Sequence, residues 1–158
     1  MVARHIALHD NGIDQSATRC PYQFSGRVCG LVSAWGSFMD RLALSGRSIL
    51  VVEEEPLVAL QLEEQLHRAG AKVLAARKLR EALHMAEHPA LSAAVVNVRL
   101  GSDNTNRVCR RLSQLGVPFL FHTRYDPAEA LRNWPDAPVV SKPADSRLVV
   151  NSVAQLLS

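Results

Sequence analysis

The chain has 158 residues, of which 47% are hydrophobic and 21% charged, and its formal net charge is +3. This composition excludes a disordered chain and suits one domain with a hydrophobic core. The small positive charge, spread over scattered arginines, favours a solvated surface and argues against a nucleic-acid interface.

The cysteine pattern and the lack of long apolar segments indicate the cellular compartment in which the protein works. The three cysteines (Cys20, Cys29 and Cys109) form no CxxC pair and have no histidine at zinc-binding spacing. A sparse, odd count is typical of free thiols in a reducing compartment. No segment reaches the roughly 18 apolar residues of a membrane helix, and the N-terminus lacks the apolar core of a signal peptide. We therefore expect a cytoplasmic protein that does not bind a membrane.

The chain divides into two unequal parts near Gly46. Residues 1–46 are rich in turn formers and carry no periodic apolar run, which predicts a poorly ordered N-terminal extension. Met39 is an alternative start, in which case the upstream residues are a mis-assigned beginning. The sequence leaves these two interpretations open. Residues 47–158 carry regular secondary-structure signals and form the predicted domain.

Strand and helix signals alternate through residues 47–158. The β-branched run RSILVVE predicts a first strand, and PLVALQLEEQLHRAG predicts a helix that begins at Pro56 and ends before Gly70. That helix has one apolar stripe, formed by Val58, Leu62, Leu66 and Ala69. The later elements, in chain order, are AKVLAAR (strand), KLREALHMAEH (helix), SAAVVNV (strand), NRVCRRLSQLG (helix), VPFLFHT (strand), DPAEALRNW (short helix), APVVSK (strand) and DSRLVVNSVAQLL (helix).

Near-continuous apolar strands separated by helices predict a parallel sheet that is covered on both faces. Five such units over this length predict an α/β fold with a doubly wound five-stranded parallel sheet in the order 2-1-3-4-5. Ligands of such sheets bind beyond the carboxyl ends of the strands. The residues that end strands 1, 3, 4 and 5 are therefore the candidate site.

Those strand ends carry polar side chains. Strand 1 ends in Glu53 and Glu54, strand 3 at Asn97, strand 4 at Thr123 and strand 5 at Lys142. Carboxylates are ligands for a hard cation such as Mg²⁺. A lysine and a hydroxyl bind phosphoryl oxygens as negative charge develops. The set is typical of a site for phosphoryl chemistry.

The segments ILVVEEEP, AVVNVRLG, FLFHT and VVSKP, in this order, resemble the response-regulator receiver domain, the CheY-like phospho-accepting module of two-component signalling. The resemblance covers residues 47–158, about 70% of the chain. It implies a flavodoxin-like fold with a shortened fourth helix, and a cis bond between Lys142 and Pro143. It also implies that Glu53 and Glu54 stand at the metal-binding acidic pair, and that Thr123 and Lys142 contact the phosphoryl group.

Asn97 stands where the resemblance implies the phospho-accepting aspartate. An amide is neutral and its nitrogen lone pair is delocalised, so it is not a nucleophile for phosphoryl transfer. Glu54 is also one methylene longer than aspartate, which disfavours the strict geometry of Mg²⁺. Two carboxylates about 5 Å apart repel by roughly 3 kcal/mol at an effective dielectric of 20. We hypothesise that Asn97 removes this repulsion without a cation and that any Mg²⁺ binding is weak.

Three further positions bear on the prediction of a receiver-like site. Val139 occupies the place, three residues before the lysine, where receivers commonly carry a switching aromatic residue. Asp103 is interpreted as a cap of the third helix, with a substitute phosphoacceptor as the alternative. His122 adjoins Thr123 and, by strand alternation, is expected to point away from the site.

The predicted function is that of a stand-alone pseudo-receiver in a bacterial two-component or phosphorelay system, without enzymatic activity. Its expected partners are a sensor histidine kinase, a phosphotransfer protein or another regulator, and a homodimer is also considered. One alternative is a working phosphoreceiver that uses another acceptor. A second is a nucleotide- or flavin-binding protein, against which the missing Gly-rich loop after strand 1 argues.

Overall fold

The computed structural model describes residues 43–158. The predictions for residues 1–42, including the alternative start at Met39, lie outside this range. The described elements are β1 (Ser48–Val52), α1 (Pro56–Arg68), β2 (Lys72–Ala76), α2 (Leu79–Ala86), β3 (Leu91–Val96), β4 (Arg99–Leu100), β5 (Asp103–Asn104), α3 (Asn106–Gln114), β6 (Phe119–Thr123), α4 (Pro127–Leu131), β7 (Val139–Ser141) and α5 (Ser146–Leu156).

Five of the strands form one parallel sheet in the order β2-β1-β3-β6-β7. This order confirms the predicted doubly wound, flavodoxin-like topology, since β6 and β7 are the fourth and fifth strands of the sheet. All five strands are parallel, but the order in which the chain adds strands reverses between β1 and β3, so the loops that follow these two strands diverge and leave a crevice. The antiparallel hairpin of β4 and β5 was not predicted and lies in the loop after β3.

Local sequence explains the first helix. Pro56 occupies its first position, where the missing N–H costs nothing, and Gly70 follows the helix with a φ of +89°, which only glycine adopts without strain. Its buried face consists of Ala59, Leu62 and Leu66, which lie against the fully buried strand β1. The predicted apolar stripe is therefore confirmed at Leu62 and Leu66, while Val58 is only partly buried.

Two apolar clusters lie on opposite faces of the sheet. One packs α2, α3 and α4 against the sheet, and Cys109 of α3 is fully buried in it. The other packs α1 and α5 against the sheet and includes the fully buried Leu44. Strand β6 contributes side chains to both clusters, since Phe119 and Phe121 belong to the first and Leu120 belongs to the second.

The prediction that Asp103 caps the third helix is wrong. Asp103 is an exposed residue of β5, and the N-cap of α3 is Thr105, whose side chain makes no capping bond. The hydroxyl of Thr105 is turned inward instead and donates to the carbonyl oxygens of Asn97 at 2.7 Å and Val98 at 2.9 Å. Asp103 belongs to the unpredicted hairpin, and the N-cap of the helix lies two residues further on, at Thr105.

Two further local predictions are confirmed. The peptide bond between Lys142 and Pro143 is cis. Helix α4 has only five residues, and Asp126 caps it by accepting a hydrogen bond from the Ala128 N–H at 2.9 Å.

Candidate functional site

The carboxyl ends of β1, β3 and β7 bring Glu53, Asn97 and Lys142 into direct contact. Glu53 is 2% exposed and lies at the centre of the group. The Lys142 ammonium donates to Glu53 Oε2, and the Asn97 amide nitrogen donates to Glu53 Oε1 at 3.3 Å. Three side chains that are far apart in the sequence thus form one buried, hydrogen-bonded cluster, which we call the Glu53 cluster.

Asn97 is fixed through its backbone as well as its side chain. Its N–H donates to the Val52 carbonyl at 2.9 Å, and its carbonyl accepts from the Thr105 hydroxyl. The residue is 1% exposed. Its amide oxygen has no hydrogen-bond partner among residues 43–158, so the amide enters the Glu53 cluster only as a donor.

Glu55 is the second carboxylate near the lysine. Its Oε1 lies 3.8 Å from the Lys142 nitrogen and 3.3 Å from a guanidinium nitrogen of Arg124. Its N–H donates to Glu53 Oε1 at 3.1 Å. Sequence reasoning did not single out Glu55 or Arg124. The sequence could have indicated Glu55, because β1 ends at Val52 and residues 53 and 55 then lie on one side of the turn.

Glu54 has a different set of contacts. Its carboxylate accepts a hydrogen bond from the backbone N–H of Gly101, in the turn between β4 and β5. Gly101 has a φ of +61°, the left-handed conformation that glycine adopts readily. Glu54 therefore ties the loop after β1 to the hairpin after β3, while Glu53 is engaged by Lys142 and Asn97.

Thr123 is fully buried at the end of β6. Its hydroxyl accepts from the Tyr125 N–H at 3.1 Å, and its carbonyl accepts from the Lys142 N–H at 2.8 Å. The parallel pairing of β6 and β7 therefore sets the position of the lysine backbone relative to the threonine.

His122 precedes Thr123 on β6 and lines a cavity that Glu55 and Lys142 also line. It is 4% exposed, and neither ring nitrogen has a hydrogen-bond partner among the described residues. Burial first, and then the charge of Lys142, lower its pKa to about 4. The imidazole is therefore neutral at physiological pH, and it lines a cavity together with residues of α1 and the start of α5.

Comparisons with known proteins agree with this architecture. No protein-family model and no curated protein matches the chain. Among solved structures, a response regulator receiver protein from Sinorhizobium medicae is 25% identical over 72% of this chain and 96% of its own, with a TM-score of 0.66. Residues 43–158 adopt the response-regulator receiver fold.

Two PhyR proteins support the same assignment. The receiver domain of PhyR from Erythrobacter litoralis is 26% identical over 73% of this chain and 92% of its own, with a TM-score of 0.61. PhyR from Brucella abortus is 23% identical over 80% of this chain, with a TM-score of 0.64. The match covers 53% of that longer response regulator.

One position of this receiver-fold domain bears on switching. Val139 is a half-buried strand residue that packs against the cluster on the α2 and α3 face, so no aromatic ring stands at this position.

Within residues 43–158, no helix is long and apolar enough to cross a membrane.

The carboxylate oxygens of the Glu53 cluster do not fit as ligands of the Mg²⁺ ion that the receiver resemblance implies. Both oxygens of Glu53 already accept hydrogen bonds, from Lys142 on one side and from Asn97 and the Glu55 N–H on the other. Glu54 is bonded to Gly101. Residues 43–158 contain no group of three or more His, Cys, Asp or Glu side chains placed to hold a metal. The cation in this cluster is the Lys142 ammonium.

Proposed function

We propose that this chain is a pseudo-receiver of bacterial two-component or phosphorelay signalling. It acts in the cytoplasm by binding a protein partner and does not accept a phosphoryl group on an aspartate. The receiver fold and the likeness to response regulators support the signalling assignment.

The observation that carries the proposal is the contact of Asn97 and Lys142 with the same carboxylate. Phosphoryl transfer to this position needs a carboxylate oxygen as the nucleophile, and Asn97 supplies a neutral amide. It also needs cations free to stabilise developing negative charge. Lys142 is bound to Glu53, with a side chain only 10% exposed. Both requirements fail in the same cluster.

The charges of the Glu53 cluster balance among its own side chains. One buried carboxylate, one ammonium and one neutral amide leave no uncompensated buried charge at the centre. An aspartate at position 97 would add a second carboxylate next to Glu53. The amide therefore holds the strand ends in one arrangement that needs neither phosphate nor cation.

The proposed partners are a sensor histidine kinase, a phosphotransfer protein or another regulator. Helix α1, which begins beside the Glu53 cluster, exposes two large apolar side chains, with Leu57 75% and Leu60 59% exposed. Exposed apolar side chains near one another are typical of interaction surfaces. A homodimer through α4, β7 and α5 remains a prediction, and the five-residue α4 offers little surface for it.

The experiment pairs a binding measurement with a transfer measurement. Histidine kinases and phosphotransfer domains from the source genome are labelled with ³²P on histidine, and each is mixed with the native chain and with the Asn97→Asp variant. We expect the native chain to bind at least one of them by calorimetry while taking up no label, and Asn97→Asp to take up label from that partner. Label on the native chain, or no binding to any of these proteins, would contradict the proposal.

A further inference from the structure

The outward side of α1 carries two large apolar side chains that the domain leaves in solvent. Leu57 is 75% and Leu60 59% exposed, which makes them the two most exposed large apolar residues among residues 43–158. They lie three positions apart and are therefore neighbours on the surface of the helix. Exposed apolar side chains that lie together are typical of a surface that another segment or molecule covers.

The chain enters the domain at the other end of the same helix. The Leu44 N–H donates at 2.9 Å to the carbonyl oxygen of Ala69, the C-cap of α1. The Leu44 side chain is fully buried in the apolar cluster that includes Leu62 and Leu66 of α1. Residues 1–42 are therefore attached to the domain beside the end of α1.

The last twelve of those residues are rich in large apolar side chains. Residues 31–42 read LVSAWGSFMDRL, in which six of the twelve are Leu, Val, Trp, Phe or Met. Asp40 and Arg41 are the only charged residues in this segment, and their charges cancel. Apolar side chains gain about 25 cal/mol for each Å² that is removed from water. The chemistry of the segment therefore matches that of the exposed leucines.

The length of the segment also matches the length of α1. A helix rises about 1.5 Å per residue, so Leu60 and Leu57 lie about 14 and 18 Å from the end of α1. An extended chain covers up to about 3.5 Å per residue, which gives Phe38 a reach of about 21 Å and Trp35 about 31 Å from the point of attachment. Both aromatic side chains can reach the leucines if the segment runs back along α1.

A charge on α1 stands at a matching distance. Glu63 is partly buried and forms no ion pair with another of residues 43–158. It lies about 9 Å from the end of α1, and Arg41 has a reach of about 10 Å from the point of attachment. A segment that runs antiparallel to α1 therefore brings Arg41 beside Glu63 while Phe38 and Trp35 approach the leucines.

We propose that residues 31–42 run back along α1 of the same chain and cover Leu57 and Leu60 with Phe38 and Trp35. The segment then occupies the surface that the proposed function assigns to a protein partner, and a partner must displace it to bind. That consequence rests on the proposed function, whereas the contact itself does not. It gives a receiver without phosphorylation a different way to control access to α1.

The fluorescence of Trp35 measures the contact directly. In the full chain with Trp134→Phe, Trp35 is the only tryptophan, and quenching by acrylamide reports its exposure. We expect quenching at least threefold weaker than that of N-acetyltryptophanamide, and at least twofold stronger quenching once Leu57→Ser and Leu60→Ser are added. Leu115→Ser is the matched control, since it removes an exposed leucine at the C-cap of α3, and it should leave the quenching unchanged.

Three outcomes would overturn the proposal, each in a chain whose circular dichroism shows a folded domain. The first is quenching of Trp35 as strong as that of the free indole compound. The second is equal quenching with and without the two leucine substitutions, which would show that another surface covers Trp35. The third is quenching that weakens as the chain concentration rises over a hundredfold range, which would show that the segment covers α1 of a second copy. None of these readouts involves phosphoryl transfer or partner binding, so failure here is distinguishable from failure of the proposed function.

Discussion

Lys142 and Glu53 form a buried ion pair that joins the end of β7 to the end of β1. The side chains are 10% and 2% exposed, so both charges are largely removed from water. Such a pair adds little stability compared with apolar residues, but removal of one partner leaves an uncompensated buried charge. The pair also takes up the cation that phosphoryl chemistry at this edge would need.

Glu53→Gln should destabilise the fold by about 3 kcal/mol, because Lys142 keeps its charge and loses the nearer and more deeply buried of its two carboxylates. Glu54→Gln is the matched control, since it alters a neighbouring carboxylate that is half-buried and bonded only to Gly101. Its expected cost is about 1 kcal/mol or less. Urea unfolding at pH 7 measures both free energies. Equal losses in the two variants would contradict the central role given to Glu53.

Asn97→Asp should destabilise the protein in the presence of a chelator. The new carboxylate would lie about as far from Glu53 as the amide nitrogen does now, 3.3 Å. At an effective dielectric of 20 the repulsion at this distance is about 5 kcal/mol, and the attraction of Lys142 offsets part of it. We expect a net loss of about 2–4 kcal/mol in the free energy of unfolding.

Millimolar Mg²⁺ should recover part of that loss in Asn97→Asp and leave the melting temperature of the native protein within about 1 °C. Asn133→Asp, at an exposed position, controls for the added charge alone. Strong stabilisation of the native protein by Mg²⁺ would show that the Glu53 cluster binds metal despite its occupied oxygens.

The stability of the protein should fall as the pH drops from 6.5 towards 4. The pKa of His122 is about 4 in the folded chain, because of burial and the charge of Lys142, against about 6.5 when unfolded. The unfolded state therefore binds more protons within this window, and folding is penalised progressively as the pH falls through it. Above pH 6.5 the imidazole is neutral in both states and the penalty is absent.

The size of this effect is about 2 kcal/mol between pH 7 and pH 4.5. Unfolding free energies at the two pH values, compared between the native protein and His122→Phe, isolate it from the titration of the carboxylates. The exposed His84, replaced by Gln, serves as the control and should retain the native slope. An unchanged slope in His122→Phe would show that His122 is not held neutral by the fold.

Cys109 should be inert towards thiol reagents in the folded protein. Burial raises the pKa of its thiol to about 12, and the residue is fully buried on α3. In a variant with Cys20 and Cys29 replaced by Ser, we expect reaction with an aromatic disulfide at pH 8 to be at least about 100-fold slower than in denaturant. Comparable rates would mean that α3 opens readily.

The sequence contained enough information for the sheet because its strands are short, apolar and separated by helices of regular period. The five-strand order, the cis bond before Pro143 and the short α4 are confirmed. The strand order follows from local patterns and from the few topologies that such patterns allow, whereas the cis bond and the short α4 were implied by the receiver resemblance.

The details of the site depend on side-chain contacts that no local pattern encodes. The three consecutive glutamates look equivalent in the sequence, yet Glu53 and Glu55 face Lys142 and Glu54 contacts Gly101. The two-residue strands of the hairpin after β3 are too short for a periodic signal, which is why Asp103 was mistaken for a helix cap.

The measurement that tests the central claim most directly is intact mass after incubation with acetyl phosphate and Mg²⁺. The native protein and Asn97→Asp are treated side by side, and hydroxylamine treatment then identifies an acyl phosphate. We predict that the native mass stays unchanged and that Asn97→Asp gains one phosphoryl group that hydroxylamine removes. A phosphoryl group on the native protein would show that another residue accepts phosphate, and it would contradict the assignment of this chain as a pseudo-receiver.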